Sequence, residues 1–278
     1  MNEHDNVTLA FIGGGNMANA LSEGLIHKRC SAHDVLVVEP NNELRESWQQ
    51  RGTNVAAEVG PELAEHRIWL LAVKPQIMKQ VVLQAKPYLQ PDTVVISVAA
   101  GIAAADIARW LGTDSQLMER VIRCMPNTPA FIACGATGLY ALADVAERDR
   151  KLAQHLLKTV GEVVWVNSDD ELDAVTALSG SGPAYVFLFL EALIQGGVEL
   201  GLSPEHSRKL ALATLNGATQ LAALSPESPE TLRQRVTSQG GTTAAALDVF
   251  QDHHFTETVQ AAMRAAKGRA ADLAKEFA

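Results

Sequence analysis

The residues best suited to chemistry fall into two glycine-centred groups. The first, Gly13-Gly14-Gly15-Asn16-Met17-Ala18, matches G-x-G-x-x-A between the β-like run 7–12 (VTLAFI) and a helical pattern through Met17, Leu21 and Leu25. In a strand–turn–helix of this kind the first glycine permits a tight turn and the second lets backbone amides approach a pyrophosphate. The small third residue allows close helix–strand packing. A helix start supplies amide donors and partial positive charge, so no lysine is required. The second group, Ser238-Gln239-Gly240-Gly241-Thr242-Thr243, precedes the helical pattern 244–250. Its glycines free the backbone to form an anion-accepting concavity, and hydroxyls and amides converge there, which suits a small carboxylate. An ordinary Ser/Thr-capped helix after a glycine turn is the alternative, and the segment alone favours it.

Glu39 ends the second strand-like run, where a carboxylate hydrogen-bonds the ribose diol of NAD and repels the 2′-phosphate of NADP. Pro40-Asn41-Asn42 can turn Glu39 away into solvent, and Arg45 offers a cation to a phosphate, so cofactor choice stays open. Met125-Pro126-Asn127-Thr128-Pro129 reads as a rigid loop at a strand end, either a bare turn or part of a site. Ser179-Gly180-Ser181-Gly182-Pro183 interrupts a helical pattern, with a kink or close packing as its readings. The eight histidines (His4, His27, His33, His66, His155, His206, His253, His254) show no metal-ligand spacing, and adjacent His253 and His254 suit surface or capping roles. Neither G-x-S-x-G nor G-x-x-x-x-G-K-[ST] occurs, so a cofactor, not a protein nucleophile, is expected to carry the chemistry.

The elements that must position these groups alternate. Strand-like runs at 7–12, 35–39, 67–73 and 94–98 are separated by helix-like stretches at 42–51, 76–89 and 103–111, with further strand pieces at 119–124 and 162–166. That alternation predicts an α/β fold with an N-terminal Rossmann-like, doubly wound parallel sheet covered on both faces. After Asp169 no strand-like run recurs, which predicts an all-helical C-terminal domain. The expected division is 1–166 for dinucleotide binding and 167–278 for substrate binding and dimerisation. Residues 184–200 are apolar on nearly every face, as in a helix buried all round or at a subunit interface. Ser203-Pro204-Glu205 and Ser228-Pro229-Glu230 read as helix starts.

Composition narrows the partners. The 278 residues suffice for two ordinary cores, and a formal net charge of −9 disfavours nucleic acid, so an anionic ligand must be held locally. No apolar run approaches the roughly 20 residues that span a bilayer, and the acidic first ten residues lack a signal-peptide core. Three widely spaced cysteines without a CxxC pair argue against a disulfide framework and for the cytoplasm.

Six segments in order resemble the pyrroline-5-carboxylate reductase family across essentially the whole chain. They are Phe11–Ala18, Ala72-Val73-Lys74-Pro75-Gln76, Ser97-Val98-Ala99-Ala100-Gly101, Met125–Pro129, Ser179–Tyr185 and, most diagnostic, Val236-Thr237-Ser238-Gln239-Gly240-Gly241-Thr242-Thr243. The resemblance implies reduction of L-1-pyrroline-5-carboxylate to L-proline by NADPH or NADH, the last step of proline biosynthesis. It also implies a helical domain that interlocks with a second subunit, giving a homodimer or higher homo-oligomer. Carried over by position, Ile12, Gly13, Gly14, Gly15, Asn16 and Met17 would hold the pyrophosphate. Ala72, Val73, Lys74 and Pro75, with Val98, Ala99 and Ala100, would line the ribose and nicotinamide. Ser238, Gly240, Gly241 and Thr242 would hold the substrate carboxylate, and Thr243 would hydrogen-bond the ring nitrogen region as the catalytic residue. Glu39 departs from the uncharged residue often found there in NADPH-preferring members.

The chemistry agrees, because a protonated C=N carbon is already electrophilic and hydride transfer to it needs orientation more than acid–base groups. Positioning of reacting atoms about 3–3.5 Å apart can contribute roughly 7–11 kcal/mol. A β-hydroxyacid dehydrogenase is a rival, but such enzymes use a lysine on an interdomain helix and the stretch 169–200 contains none. A regulator that binds NAD(P) without turnover is the second rival, for which the 240–243 loop would be unnecessary.

Overall fold

The computed structural model describes residues 7–26 and 28–277. The chain divides into two compact units, one running to Ser181 and resuming at Ala266, the other Gly182–Ala265.

In the first unit the strands are β1 (Leu9–Ile12), β2 (Val35–Val38), β3 (Asn54–Ala56), β4 (Ile68–Leu71), β5 (Val94–Ser97), β6 (Val121–Met125), β7 (Gly135–Ala141) and β8 (Gly161–Trp165). They form one sheet in the order β3-β2-β1-β4-β5-β6-β7-β8. The first six are parallel; β7 runs antiparallel to β6, and β8 is parallel to β7. The helices joining them are α1 (Asn16–Leu25), α2 (Asn42–Gln50), α3 (Pro75–Ala85), α4 (Ala104–Leu111) and α5 (Glu147–Leu157). Every residue of β1, β2, β4 and β5 is buried, because helices cover both faces. Successive side chains point to opposite faces. Leu9, Phe11, Val35 and Val37 therefore pack with α1 and α5, while Ala10, Ile12, Leu36 and Val38 pack with α3 and α4. This is the expected doubly wound plan, with two reversed strands added at one edge.

Two strands carry little sequence signal. β3 is a three-residue edge. β7 contains two glycines, and its local sequence reads as a loop. Both glycines are required by packing: a Cβ on Gly138 would lie 2.8 Å from Val175, and one on Gly135 would lie 2.9 Å from the Val160 carbonyl.

Helix α6 (Asp169–Val175) passes through a π-turn, Thr176–Gly180, into α7 (Gly182–Glu199). The Ser181 N–H reaches the Thr176 carbonyl at 2.8 Å, which closes the wide turn where the small residues interrupt the helical pattern. Because the turn does not stop the helix, Asp169–Glu199 is one span long and apolar enough by composition to cross a membrane, with 6% of its most apolar window buried. The expectation that no segment reaches that length is corrected, because the helix widens into a π-turn where Ser179–Pro183 begins and does not end there.

The second unit holds α7, α8 (Pro204–Leu224), α9 (Pro229–Arg235), α10 (Thr242–Asp252) and the first half of α11 (Phe255–Phe277). Ser203 and Ser228 cap α8 and α9 as their sequences predict, accepting from the His206 and Thr231 N–H groups at 3.2 Å. Helix α7 is not buried all round. Within one chain none of its residues is buried, and Leu188 is 68% exposed. Of residues 182–265 only Ser207 and Ala211 are buried, so these helices have almost no core within a single copy.

Cys30, Cys124 and Cys134 are all free thiols. Burial, with a smaller push from Asp34, raises Cys30 to about 11, and burial raises Cys124 to about 12, whereas Cys134 is exposed. At pH 8 an aromatic disulfide reagent is therefore expected to titrate Cys134 rapidly and the other two only after denaturation; fast modification of all three would show that the sheet core opens.

Candidate functional site

The first unit's strand order reverses between β1 and β4, the place where open α/β sheets leave a crevice at the carboxyl ends of their strands. Ile12, Leu71, Val38 and Ser97 align there through the parallel register. The connecting backbone is sewn across the strands: Gly13 N–H to the Val38 carbonyl at 2.9 Å, Ala72 N–H to Ile12 at 2.8 Å and Val98 N–H to Leu71 at 3.1 Å. The structure thus brings Ile12–Met17, Glu39, Ala72–Pro75 and Val98–Ala100 to one end of one sheet. Ser238–Thr243 lies in the other unit.

The three glycines have different reasons to be glycine. Gly13 has φ +102°, and a Cβ there would sit 2.7 Å from the Ala72 carbonyl group. Gly14 would drive a Cβ to 2.7 Å from Trp48 Nε1 and 3.2 Å from Glu39 Cβ. At Gly15 a Cβ would meet no protein atom within 4 Å. The protein itself therefore requires only the first two, and the space beside Gly15 is open for a ligand to approach. Gly15 is the N-cap of α1 and no side chain caps that helix, so its first-turn amides are offered outward. This cradle fits a pyrophosphate.

The backbone of Gly14 is clamped on both sides. Its N–H donates to Glu39 Oε2 at 2.8 Å, and its carbonyl accepts from Trp48 Nε1 at 2.9 Å. Asn41 N–H donates to Glu39 Oε1 at 2.9 Å. Glu39 is consequently buried, with 8% exposure, and the solvent-facing alternative is excluded. Arg45 does not swing free either: its Nη1 donates to the carbonyls of Glu39 and Pro40 at 2.8 and 3.1 Å, and its Nη2 to Asn42 Oδ1. Trp48 escaped the sequence reading. Its signal is a lone tryptophan four residues after Leu44 on an otherwise polar helix, where it stacks on Phe11 with ring centroids 6.0 Å apart.

Two loops flank this end of the sheet. Pro75 opens α3 behind the N-cap Lys74, again with no side-chain cap. Past β5, Gly101 has φ +73°, and a Cβ there would lie 2.7 Å from Leu273, so both conformation and packing require glycine. Asn127 is buried and bridges two segments, donating to the Ser179 carbonyl at 3.0 Å and accepting from Ala136 N–H at 2.8 Å. The Met125–Pro129 and Ser179–Pro183 segments are thereby coupled through one side chain.

In the second unit α10 starts at Thr242, with Gly241 as N-cap and no side-chain cap. The ordinary Ser/Thr-capped alternative does not hold. Gly241 N–H closes a turn onto the Ser238 carbonyl at 3.1 Å, and Gly240 within that turn has φ +68°. A Cβ on Gly241 would lie 2.4 Å from Ser238 Oγ, so Ser238 packs directly against the helix start. The hydroxyls of Thr242 and Thr243 occupy the first two helical positions.

Among the described residues no cluster of three or more His, Cys, Asp or Glu could hold a metal ion; His4 and His27 lie outside them. His253 is the C-cap of α10 and His254 adopts φ 53° just after it.

A parallel sheet of this order, with a glycine-opened helix at its switch point and a separate helical unit carrying another, defines the class of two-part nicotinamide-dependent oxidoreductases. The family model "Pyrroline-5-carboxylate reductase dimerisation" matches residues 169–273, and "NADP oxidoreductase coenzyme F420-dependent" matches residues 8–101. A pyrroline-5-carboxylate reductase of Pseudomonas aeruginosa is 42% identical over 97% of both chains, and one of Pisum sativum 36% identical over 97% of both. The solved reductase of Coxiella burnetii superposes with TM-score 0.87 at 36% identity, covering 97% of this chain and 99% of that one. The Plasmodium falciparum pyrroline carboxylate reductase with NADP bound gives 0.86 at 29% identity with the same coverage. The chain belongs to the pyrroline-5-carboxylate reductase family.

The glycine geometry separates folding from binding. Gly14→Ala is expected to cost about 1–3 kcal/mol of stability through displacement of Trp48. Gly15→Ala should stay within about 0.5 kcal/mol of wild type yet weaken NAD(P)H roughly tenfold or more, about 1.4 kcal/mol. Urea unfolding and fluorescence titration check both, and unaltered affinity in Gly15→Ala would show that the open space is not used.

Proposed function

We infer that this chain reduces L-1-pyrroline-5-carboxylate to L-proline by hydride transfer from NADPH or NADH, the closing step of proline biosynthesis. The observation that carries the reading is the pair of glycine-opened helix starts, at Gly15 and Gly241, both lacking a side-chain cap. One suits a pyrophosphate and the other a small carboxylate, the two anions that this reaction brings together.

The bound reduced nicotinamide supplies the hydride; orientation falls to the protein. Ile12, Gly13, Gly14, Gly15, Asn16 and Met17 hold the pyrophosphate with main-chain amides, which a chain of net charge −9 needs in place of a basic patch. Ala72, Val73, Lys74 and Pro75 and Val98, Ala99 and Ala100 line the ribose and nicotinamide from the ends of β4 and β5. Ser238, Gly240, Gly241 and Thr242 hold the substrate carboxylate through backbone amides. The Thr243 hydroxyl accepts a hydrogen bond from the protonated ring nitrogen, steering the imine without itself titrating. A hydroxyl suffices because the iminium carbon is already electrophilic.

Residues 1–166 are assigned to the cofactor and 167–278 to the substrate and to self-association. The chain forms a homo-oligomer. A homodimer is the simplest assembly to cover α7, which a single copy leaves exposed, and a second copy rather than a bilayer is the proposed cover. Three free thiols support a cytoplasmic setting, and the acidic surface disfavours nucleic acid. An NAD(P)-binding regulator is not favoured, since it has no use for the second helix start.

Purified protein is expected to consume reduced nicotinamide when given pyrroline-5-carboxylate and to release proline; no consumption with either cofactor would favour the regulator. Thr243→Ala should lower kcat/KM on the order of tenfold or more, as for loss of one hydrogen bond to a charged group. An unchanged value would remove Thr243 from the reaction.

A further inference from the structure

We propose that Glu39 makes NADH, rather than NADPH, the preferred reductant of this chain. The proposal rests on the reading that the first unit holds a nicotinamide dinucleotide, and it adds which of the two fits. Three features of the end of β2 support it.

The first is the placement of the carboxylate. Glu39 lies against the Gly14 peptide and is fixed by two backbone donors, Gly14 N–H at 2.8 Å and Asn41 N–H at 2.9 Å. Each oxygen takes one of these bonds and keeps acceptor capacity for another. A ribose carrying free 2′ and 3′ hydroxyls brings donors to those lone pairs. A 2′-phosphate brings none, and adds roughly 1.5–2 negative charges beside a buried carboxylate. With both oxygens anchored to main chain and 8% of the residue exposed, Glu39 cannot rotate away to make room.

The second is the state of the nearby cations. The Arg45 guanidinium is spent on the carbonyls of Glu39 and Pro40 and on Asn42. Arg51 bonds Asn19, Ser22 and Glu23 and lies 4.5 Å over the Trp48 ring. Both are tied into the scaffold rather than extended toward a phosphate.

The third is the start of α2. A helix N-terminus just after β2 would be a ready acceptor for a phosphate. Here Asn41 Oδ1 takes the Leu44 N–H at 3.0 Å, and Glu43 adds negative charge in the first turn. The Leu44 amide is already capped from within, whereas α1 has no side-chain cap.

Equilibrium titration of NADH and NADPH against the full-length protein, without substrate, tests the proposal. Wild type is expected to bind NADH at least tenfold more tightly. Glu39→Gln, which keeps the shape and one acceptor, and Glu39→Ser should each shrink that ratio at least tenfold, chiefly by gaining NADPH affinity. Arg45→Ala should leave it unchanged. Thermal unfolding of each variant establishes that it is folded, and steady-state kcat/KM ratios should follow the binding ratios. Equal or tighter NADPH binding by wild type overturns the proposal, as does an unmoved ratio in both Glu39 variants, or loss of NADPH affinity in Arg45→Ala. Binding of neither cofactor overturns the proposal together with the reductase reading. Tight, Glu39-dependent NADH binding without pyrroline-5-carboxylate turnover leaves the proposal standing and removes only that reading.

Discussion

The organisation of the first unit turns on a single residue, Gly14, whose two flanking peptide groups are both held. Its carbonyl is held by a tryptophan from α2 and its amide by the glutamate ending β2, so the loop that must face an anion is locked by its neighbours beforehand. Neither contact tolerates a side chain at position 14, and the close passage of Ala72 tolerates none at position 13. A loop fixed in this way binds without first ordering itself, and preorganisation is where affinity for a flexible dinucleotide is most easily lost. Trp48 joins the effect to the core, since the ring that bonds Gly14 also packs on Phe11 of β1.

The same economy recurs at α10. Where α8 and α9 begin with serines whose hydroxyls satisfy the first-turn amides, α1 and α10 begin with glycines that leave theirs unsatisfied. Orphan amides at a helix start are costly unless something accepts from them. Among the helices of 182–265, α8 and α9 are capped by a serine, whereas α10, for which a ligand is proposed, starts without a side-chain cap, as α1 does in the first unit. Backbone amides at glycine-opened helix starts let an acidic chain handle two anions without a basic surface.

The helical unit has a different constraint. Its helices are apolar on faces that one copy does not cover, and almost nothing within 182–265 is buried. Self-association supplies the cover that these faces lack, in keeping with a unit that has little core of its own. The apolar stretch within Asp169–Glu199 that is long enough to cross a membrane is equally suited to a subunit interface, since either surrounding covers apolar side chains.

Much of this was legible in residue order. Buried parallel strands are continuous apolar runs, so β1, β2, β4 and β5 were visible, as were the serine–proline helix starts and the two glycine groups. Periodicity carries no direction, and the reversal of β7 and β8 was invisible. β7 was hidden altogether because Gly135 and Gly138, which make it resemble a loop, answer to Val160 and Val175 from distant segments. The sequence could place Glu39 at the end of a strand but not aim it; its burial depends on Gly14 and Asn41 N–H groups brought together only by the folded sheet. Likewise a tryptophan on a polar helix is a local fact, while the bond it makes to a glycine 34 residues earlier is not. Patterns of side-chain type declare what an element is and which chemistry its residues permit. Direction, aim and the reason for each glycine depend on contacts between segments far apart in the chain, and those exist only after folding.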